Sequence, residues 1–225
     1  TRRSSDLAKF NLGVAMVRSG QINAAASILD ELGEMNPQGE EMSSLRDKAN
    51  LALGYAYLRY EQPQAARLPL SRVRLEGPFS NKALLGMGWA DAETSNYRRA
   101  LVPWMELRDR DLLDSAVQES MLAVPYELAE LDSLRQAADH YVDAIEAFRE
   151  EAGRIDAVIE KIQSGELMTE FAAGGDENTT GWHWKLTELP EGQESRYLYH
   201  LLATNKFQEG LKNFRDLHYL WQNLD

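Results

Sequence analysis

His140, His183, His200 and His218 are the only imidazoles in the sequence. A zinc site is usually signalled by two such ligands a few residues apart, and no pair here has that spacing. With no cysteine in the chain, thiolate metal sites, cysteine nucleophiles and disulfides are excluded. Trp182-His183-Trp184 sets two indoles about an imidazole, an arrangement that suits a sugar or peptide platform or the anchoring of a loop to a helical core. Anchoring is the expectation. Gly174-Gly175-Asp176 lies in a polar stretch without the preceding strand and following helix that a phosphate cradle needs, so it reads as a turn. No Gly-x-Ser-x-Gly places a serine for attack. Glu150-Glu151 reads as a solvent-facing carboxylate pair. Arg98-Arg99 and Arg108-Asp109-Arg110-Asp111 read as solvated or intra-repeat salt-linked faces. No catalytic residue, metal or cofactor is expected.

Composition says what could hold such residues. The 225 residues are 44% hydrophobic and 27% charged, with 7 Pro and 15 Gly, a balance that supports a packed core and leans towards helix. Net charge is −12, which sets the protein's field against phosphate and makes nucleic acid an improbable partner. No apolar run approaches the ~20 residues of a membrane span. The chain starts at Thr1 without a signal-like segment and reads as a piece of a longer protein.

A long-period repeat organises the chain. Leu12-Gly13, Met16, Gly20, Ala25, Leu29, Leu32 and Pro37 follow the order Leu-Gly, large, turn Gly, small, large, apolar, Pro. Leu53-Gly54, Tyr57, Ala66, Leu70, Val73 and Pro78 repeat that order at the same internal spacings, apart from the turn position. A third unit has Met87-Gly88, Tyr97, Ala100, Trp104 and Leu107, but with Asp91 at the large position and no closing Pro. A fourth, after a slightly longer step, has Leu128, Leu134, Ala137, Tyr141 and Ala144, and Pro125 where the glycine belongs.

The mechanics explain the order. A mid-helix glycine costs about 1 kcal/mol relative to Ala, so Gly13 and Gly54 imply a close approach by a second helix, which Ala25 and Ala66 serve from the other side. The prolines are expected to stop the second helix of each pair, and Pro125 to kink or interrupt a helix over 114–131. The step from the first unit to the second is longer than the step from the second to the third. The surplus, Gln38 to Ser44, should lengthen a loop or add a helical turn. Leu134 to about Phe171 reads as one or two long helices that can run past Gly153. Ala172 to Gly192 reads as loop, with helices resuming near Glu194. Leu201, Phe207, Gly210, Phe214 and Leu217 give a last frame, close to two unit lengths beyond the fourth.

This pattern resembles the tetratricopeptide repeat family, whose unit is about 34 residues long. The likeness covers most of the chain. It implies an all-α, right-handed superhelical solenoid of helix hairpins, irregular in its C-terminal third: four hairpins over 1–150, a degenerate repeat and loop over 151–193, and a last hairpin over 194–225. It also implies that the first helix of each unit lines a concave groove. Carried across, the groove positions are Val14, Tyr55, Trp89 and Tyr126, and one turn earlier Phe10, Leu51, Leu85 and Leu122. Arg18 and Arg59 lie further along those helices and Lys82 near the entrance, while Glu93 and Glu130 reverse the sign later. Chaperone-binding members clamp a C-terminal carboxylate with Lys and Asn at these groove positions, which this sequence lacks there.

The resemblance implies a non-enzymatic scaffold or adaptor that presents an apolar, aromatic groove to a partner protein or peptide. A self-associating module whose groove is filled by its own C-terminal helices is the alternative. Phe207, Leu211, Phe214, Leu217, Leu220, Trp221 and Leu224 form an amphipathic stripe that could join two copies as a homodimer. A bacterial periplasmic or cell-envelope address is implied by the family, with cytoplasm as the alternative.

Overall fold

A computed structural model describes residues 2–173 and 194–222, whose regular structure is helix, with no strand among the described residues. Contacts divide the chain into two units, Thr1–Glu146 and Ala147–Asp225.

The first unit holds α1 (Arg2–Arg18), α2 (Ile22–Gly33), α3 (Glu40–Arg59), α4 (Pro63–Ser71), α5 (Ser80–Ala92), α6 (Tyr97–Arg108), α7 (Ser115–Glu130) and the beginning of α8 (Leu134–Ser164). From α1 to α7 each helix packs against the next, and each odd helix also touches the next odd one. The odd helices therefore make one layer and the even helices another.

Four identical turns set this register. Gly20, Glu61, Ser95 and Asp132 all take positive φ, at 80°, 57°, 60° and 55°. In each turn the positive-φ residue's N–H donates three residues back, and the next N–H donates five back: Gln21 to Met16, Gln62 to Tyr57, Asn96 to Asp91 and Ser133 to Leu128. This is the six-to-one closure of a helix C-terminus that favours glycine. Only the first turn has one, so the other three hold side chains in a left-handed conformation. Changing Glu61, Ser95 or Asp132 to Gly is expected to raise unfolding free energy by about 0.5–1 kcal/mol each, read by urea denaturation. Additive gains would show the turns to be independent, whereas a loss at any of them would mean that its side chain does more than occupy the bend.

Inside the hairpins the glycines behave as their sequence positions imply. A Cβ on Gly13 would lie 2.8 Å from Leu29 Cδ2, one on Gly54 would overlap Leu70, and one on Gly88 would overlap the Trp104 indole. The three glycines each meet a residue sixteen positions on. Ala25, Ala66 and Ala100 are fully buried, as are Leu29, Leu70 and Trp104. One cluster joins Leu29, Leu32, Ala49 and Leu53; a second joins Ala66, Leu70, Val73, Ala83 and Ala90; the largest runs from Leu84 to Ala137 around Trp104.

Asp91 departs from the apolar pattern yet is fully buried. Its carboxylate receives Arg99 Nε at 2.8 Å and lies 3.2 Å from Arg67 Nη1, which ties α5 to the helices before and after it. Arg110 reaches back to Ser80 Oγ and Asn81 Oδ1, both at 2.7 Å, and pairs with Glu106. Arg108 binds His140 Nδ1 and Asp143 Oδ2 on α8.

Of the surplus between the first two units, residues 40–44 are helix. α3 begins at Glu40, and Arg74 grips that early turn, placing two N–H groups on Glu40 at 2.8 and 2.9 Å and Nε on buried Asp47 at 2.6 Å. The hydrogen bonds from Arg74 hold the Glu40 carboxyl below its ordinary range.

Two proline expectations need correction, and a third loses one of its two alternatives. α2 ends at Gly33, with Glu34 closing back on Asp30 and Leu32, before Pro37 is reached. α4 ends at Ser71, well short of Pro78, in a tight turn where Arg72 and Val73 donate to Pro69 and Leu70. Pro125 does not interrupt α7, which runs through it from a cap at Asp114 that accepts from Ala116 N–H. The missing N–H is one lost bond in a helix of several turns, and the ring is buried in the packed helix.

The second unit is described by itself. α8 continues past Gly153 to Ser164; Gly165 at φ 78° breaks it from α9 (Glu166–Ala173). α10 (Glu194–Leu202) and α11 (Asn205–Gln222) follow. Leu167, Leu202 and Leu211 form a small core with Met168, Leu198 and Phe207. Glu150 is exposed as expected, but Glu151 is buried: it accepts Tyr197 OH at 2.7 Å and pairs with Arg154 at 2.9 Å, which corrects the solvent-facing reading of Glu151. Gly210 occupies the small position of the last repeat frame, yet open space surrounds it, so no close approach demands its smallness. Leu217 and Leu220 on α11 are exposed. Trp182-His183-Trp184, Gly174-Gly175-Asp176, Leu224 and most of the loop expected over 172–192 lie outside the described residues.

Candidate functional site

An open cavity of about 550 Å³ lies along the odd-helix layer of the first unit. α1 contributes Phe10; α3 contributes Lys48, Leu51, Ala52 and Tyr55; α5 contributes Lys82, Leu85 and Trp89; α7 contributes Ser115, Ala116 and Glu119. On α3, α5 and α7 these residues recur at three and four, so each of those helices presents one stripe.

Hydrogen bonds fix the large rings. Tyr55 OH donates to the Lys82 carbonyl at 2.8 Å, which pins α3 to the first turn of α5. Burial, then the Glu119 and Asp114 charges, push the Tyr55 phenol up to about 12. Trp89 Nε1 donates to Glu119 Oε1 at 2.7 Å across to α7, while its ring meets Trp104 edge to face at 4.9 Å. Lys48 Nζ stands 5.5 Å over the Phe79 ring. Apolar rings held this firmly lose little freedom when a ligand covers them.

The structure brings together six of the sequence-derived positions: Phe10, Leu51, Tyr55, Lys82, Leu85 and Trp89. It leaves five outside the cavity. Val14 is half-buried in α1, Arg18 and Arg59 are exposed at the ends of α1 and α3, and Leu122 and Tyr126 are exposed on α7. Leu122 and Tyr126 continue the stripe of Ser115 and Glu119 by steps of three and four, beyond the cavity's end.

Sequence reasoning missed Lys48, Ala52, Ser115, Ala116 and Glu119. Lys48 carried a signal, because Lys82 follows it by the same step that separates Gly54 from Gly88. Ser115, Ala116 and Glu119 were hidden by the longer spacing into the fourth unit, which moved the inferred stripe towards the far end of α7.

A second hollow, of about 760 Å³, is walled by Leu84 and Met87 on α5, Leu101, Val102 and Met105 on α6, and Leu75. Arg67, Pro103, Glu106 and Asp109 complete its lining. Among the described residues no cluster of His, Cys, Asp or Glu is arranged to hold a metal ion, and no helix is long and apolar enough to cross a membrane. Comparisons with protein-family models, curated proteins and solved structures found no match.

Proposed function

We propose that the chain is a tetratricopeptide-type right-handed solenoid whose odd-helix groove holds a segment of a partner protein, acting as a non-enzymatic scaffold in a multiprotein assembly. One observation carries the reading: four successive odd helices line one cavity, α3, α5 and α7 with a stripe each and α1 with Phe10, and Phe10, Leu51, Tyr55, Leu85 and Trp89 make its apolar lining. A concave, mostly apolar site with a few fixed polar groups is what a bound segment needs, and aromatic anchors are where binding energy concentrates. A bacterial envelope address belongs to the same proposal, on the strength of the repeat resemblance.

Trp89→Ala and Tyr55→Ala are each expected to weaken partner binding by about 2 kcal/mol, near thirty-fold. The measurement is quantitative affinity purification with full-length protein, alongside thermal melting to show that the fold survives. An unchanged partner profile from folded variants removes the groove as the binding site.

Self-association is a second reading, favoured by Leu217 and Leu220 standing exposed on α11. It is separable by light scattering: a concentration-dependent dimer lost in Leu217→Asp supports it.

A further inference from the structure

We propose that the segment held in the groove is acidic, with side-chain carboxylates flanking an apolar anchor and meeting Lys48 and Lys82. The inference rests on the groove-docking reading above and specifies its ligand.

The observation is which charges remain free. The chain carries 36 acidic against 24 basic residues, and several of the first unit's arginines are taken up by that excess: Arg67 and Arg99 by Asp91, Arg72 by Asp30 and Glu34, Arg74 by Glu40 and Asp47, none of them in the groove. Lys48 and Lys82 are different. Both are exposed, both line the cavity, and among the described residues neither has a carboxylate partner. Lys48 only rides over Phe79.

The nearby acids are already engaged. Asp114 caps α7 through Ala116 N–H at 2.8 Å and accepts Asn81 Nδ2 at 2.9 Å, while Glu119 accepts the Trp89 indole. Lys48 and Lys82 come from adjacent odd helices at equivalent repeat positions, on the α3 and α5 side, with Glu119 on α7.

Desolvation makes the choice of ligand. A neutral apolar segment that filled the cavity would strip water from two ammonium groups and return nothing. A basic segment would add repulsion. Carboxylates beside the anchor replace the lost water with charge-assisted hydrogen bonds, against a low-dielectric wall of Leu51, Leu85 and Trp89. The anchor supplies contact area and the lysines select by charge.

The test selects displayed peptides, each a fixed Leu or Phe anchor with randomised flanks and no free C-terminus, on the full chain, with Trp89→Ala as counter-screen. Expected are sequences enriched in Asp and Glu, whose synthetic copies bind about tenfold more tightly than Asn/Gln copies and weaken as salt rises. The double variant Lys48→Glu with Lys82→Glu, both on the surface, should keep its melting temperature and reverse the preference towards basic flanks. Enriched sequences without acidic bias, or an acidic bias that survives the double reversal, would overturn the acidic specificity and leave groove docking standing. If no sequence is enriched over Trp89→Ala, groove docking itself fails and this inference with it.

Discussion

Trp104→Ala is expected to cost about 3–5 kcal/mol of unfolding free energy, enough to threaten a domain of ordinary stability. Trp104 is completely buried, sits in the largest core cluster, and donates its indole N–H to the Leu85 carbonyl at 3.1 Å. Removing it empties a volume that α5, α6 and α7 jointly enclose and takes away a second hydrogen bond to a carbonyl that is also an acceptor within α5. Gly88→Ala attacks the same contact from the other side, since the added methyl would overlap the indole. Overpacking of that kind costs roughly 1–3 kcal/mol. The two changes are therefore expected to be non-additive, with the double variant more stable than the sum of the single losses allows, because the methyl then occupies space the ring has vacated. Urea denaturation of the four proteins measures the coupling. Strict additivity would mean that the helices do not meet through this pair.

Glu127→Met should have the opposite sign. Glu127 is buried on α7 with 1% exposure, and its Oε2 has no hydrogen-bond partner. Burial, and then the Glu130 charge, hold its carboxyl above the ordinary range. The neutral form is thus the one the fold accommodates. A carboxyl whose folded pKa is raised leaves stability intact below its unfolded pKa, near about 4.3, and erodes it as pH climbs through the folded value. At pH 7.5 the native protein carries that penalty, together with an unsatisfied acceptor worth about 1–3 kcal/mol. Methionine of similar shape removes both. The variant is expected to gain about 1–3 kcal/mol at pH 7.5 and distinctly less at pH 4 to 5, by denaturant unfolding at each pH. A loss at pH 7.5 would show that the carboxylate is bound by a group that stabilises its charge.

These two cases mark what the sequence made legible. The close-packing glycines were readable, because a glycine that costs helix stability must be repaid nearby in the same hairpin; their partners were not, since the reading pointed to Ala25 and Ala66 where the glycines meet Leu29 and Leu70. The turn register was hidden in three of four hairpins: Glu61, Ser95 and Asp132 carry no glycine signal, yet bend as Gly20 does. Asp91 looked like a defect, because its compensation comes from Arg67 and Arg99 on neighbouring helices, and charge pairing across helices has no period. The prolines were misread for a related reason. Helix ends at Gly33 and Ser71 are set by backbone closure and the length of the packed face, and the prolines merely follow. Of the groove, Phe10, Leu51, Tyr55, Lys82, Leu85 and Trp89 were legible through the repeat frame; Lys48 and Ala52 on α3 were passed over, and the residues on α7 were lost once the step into the fourth unit lengthened.

α5 also separates two hollows. Leu85 and Trp89 look into one and Leu84 and Met87 into the other, within a single helix of fewer than four turns. So short a rod has no joint at which its sides could part company. The two chambers therefore share a party wall, and neither can be reshaped on that side without reshaping the other.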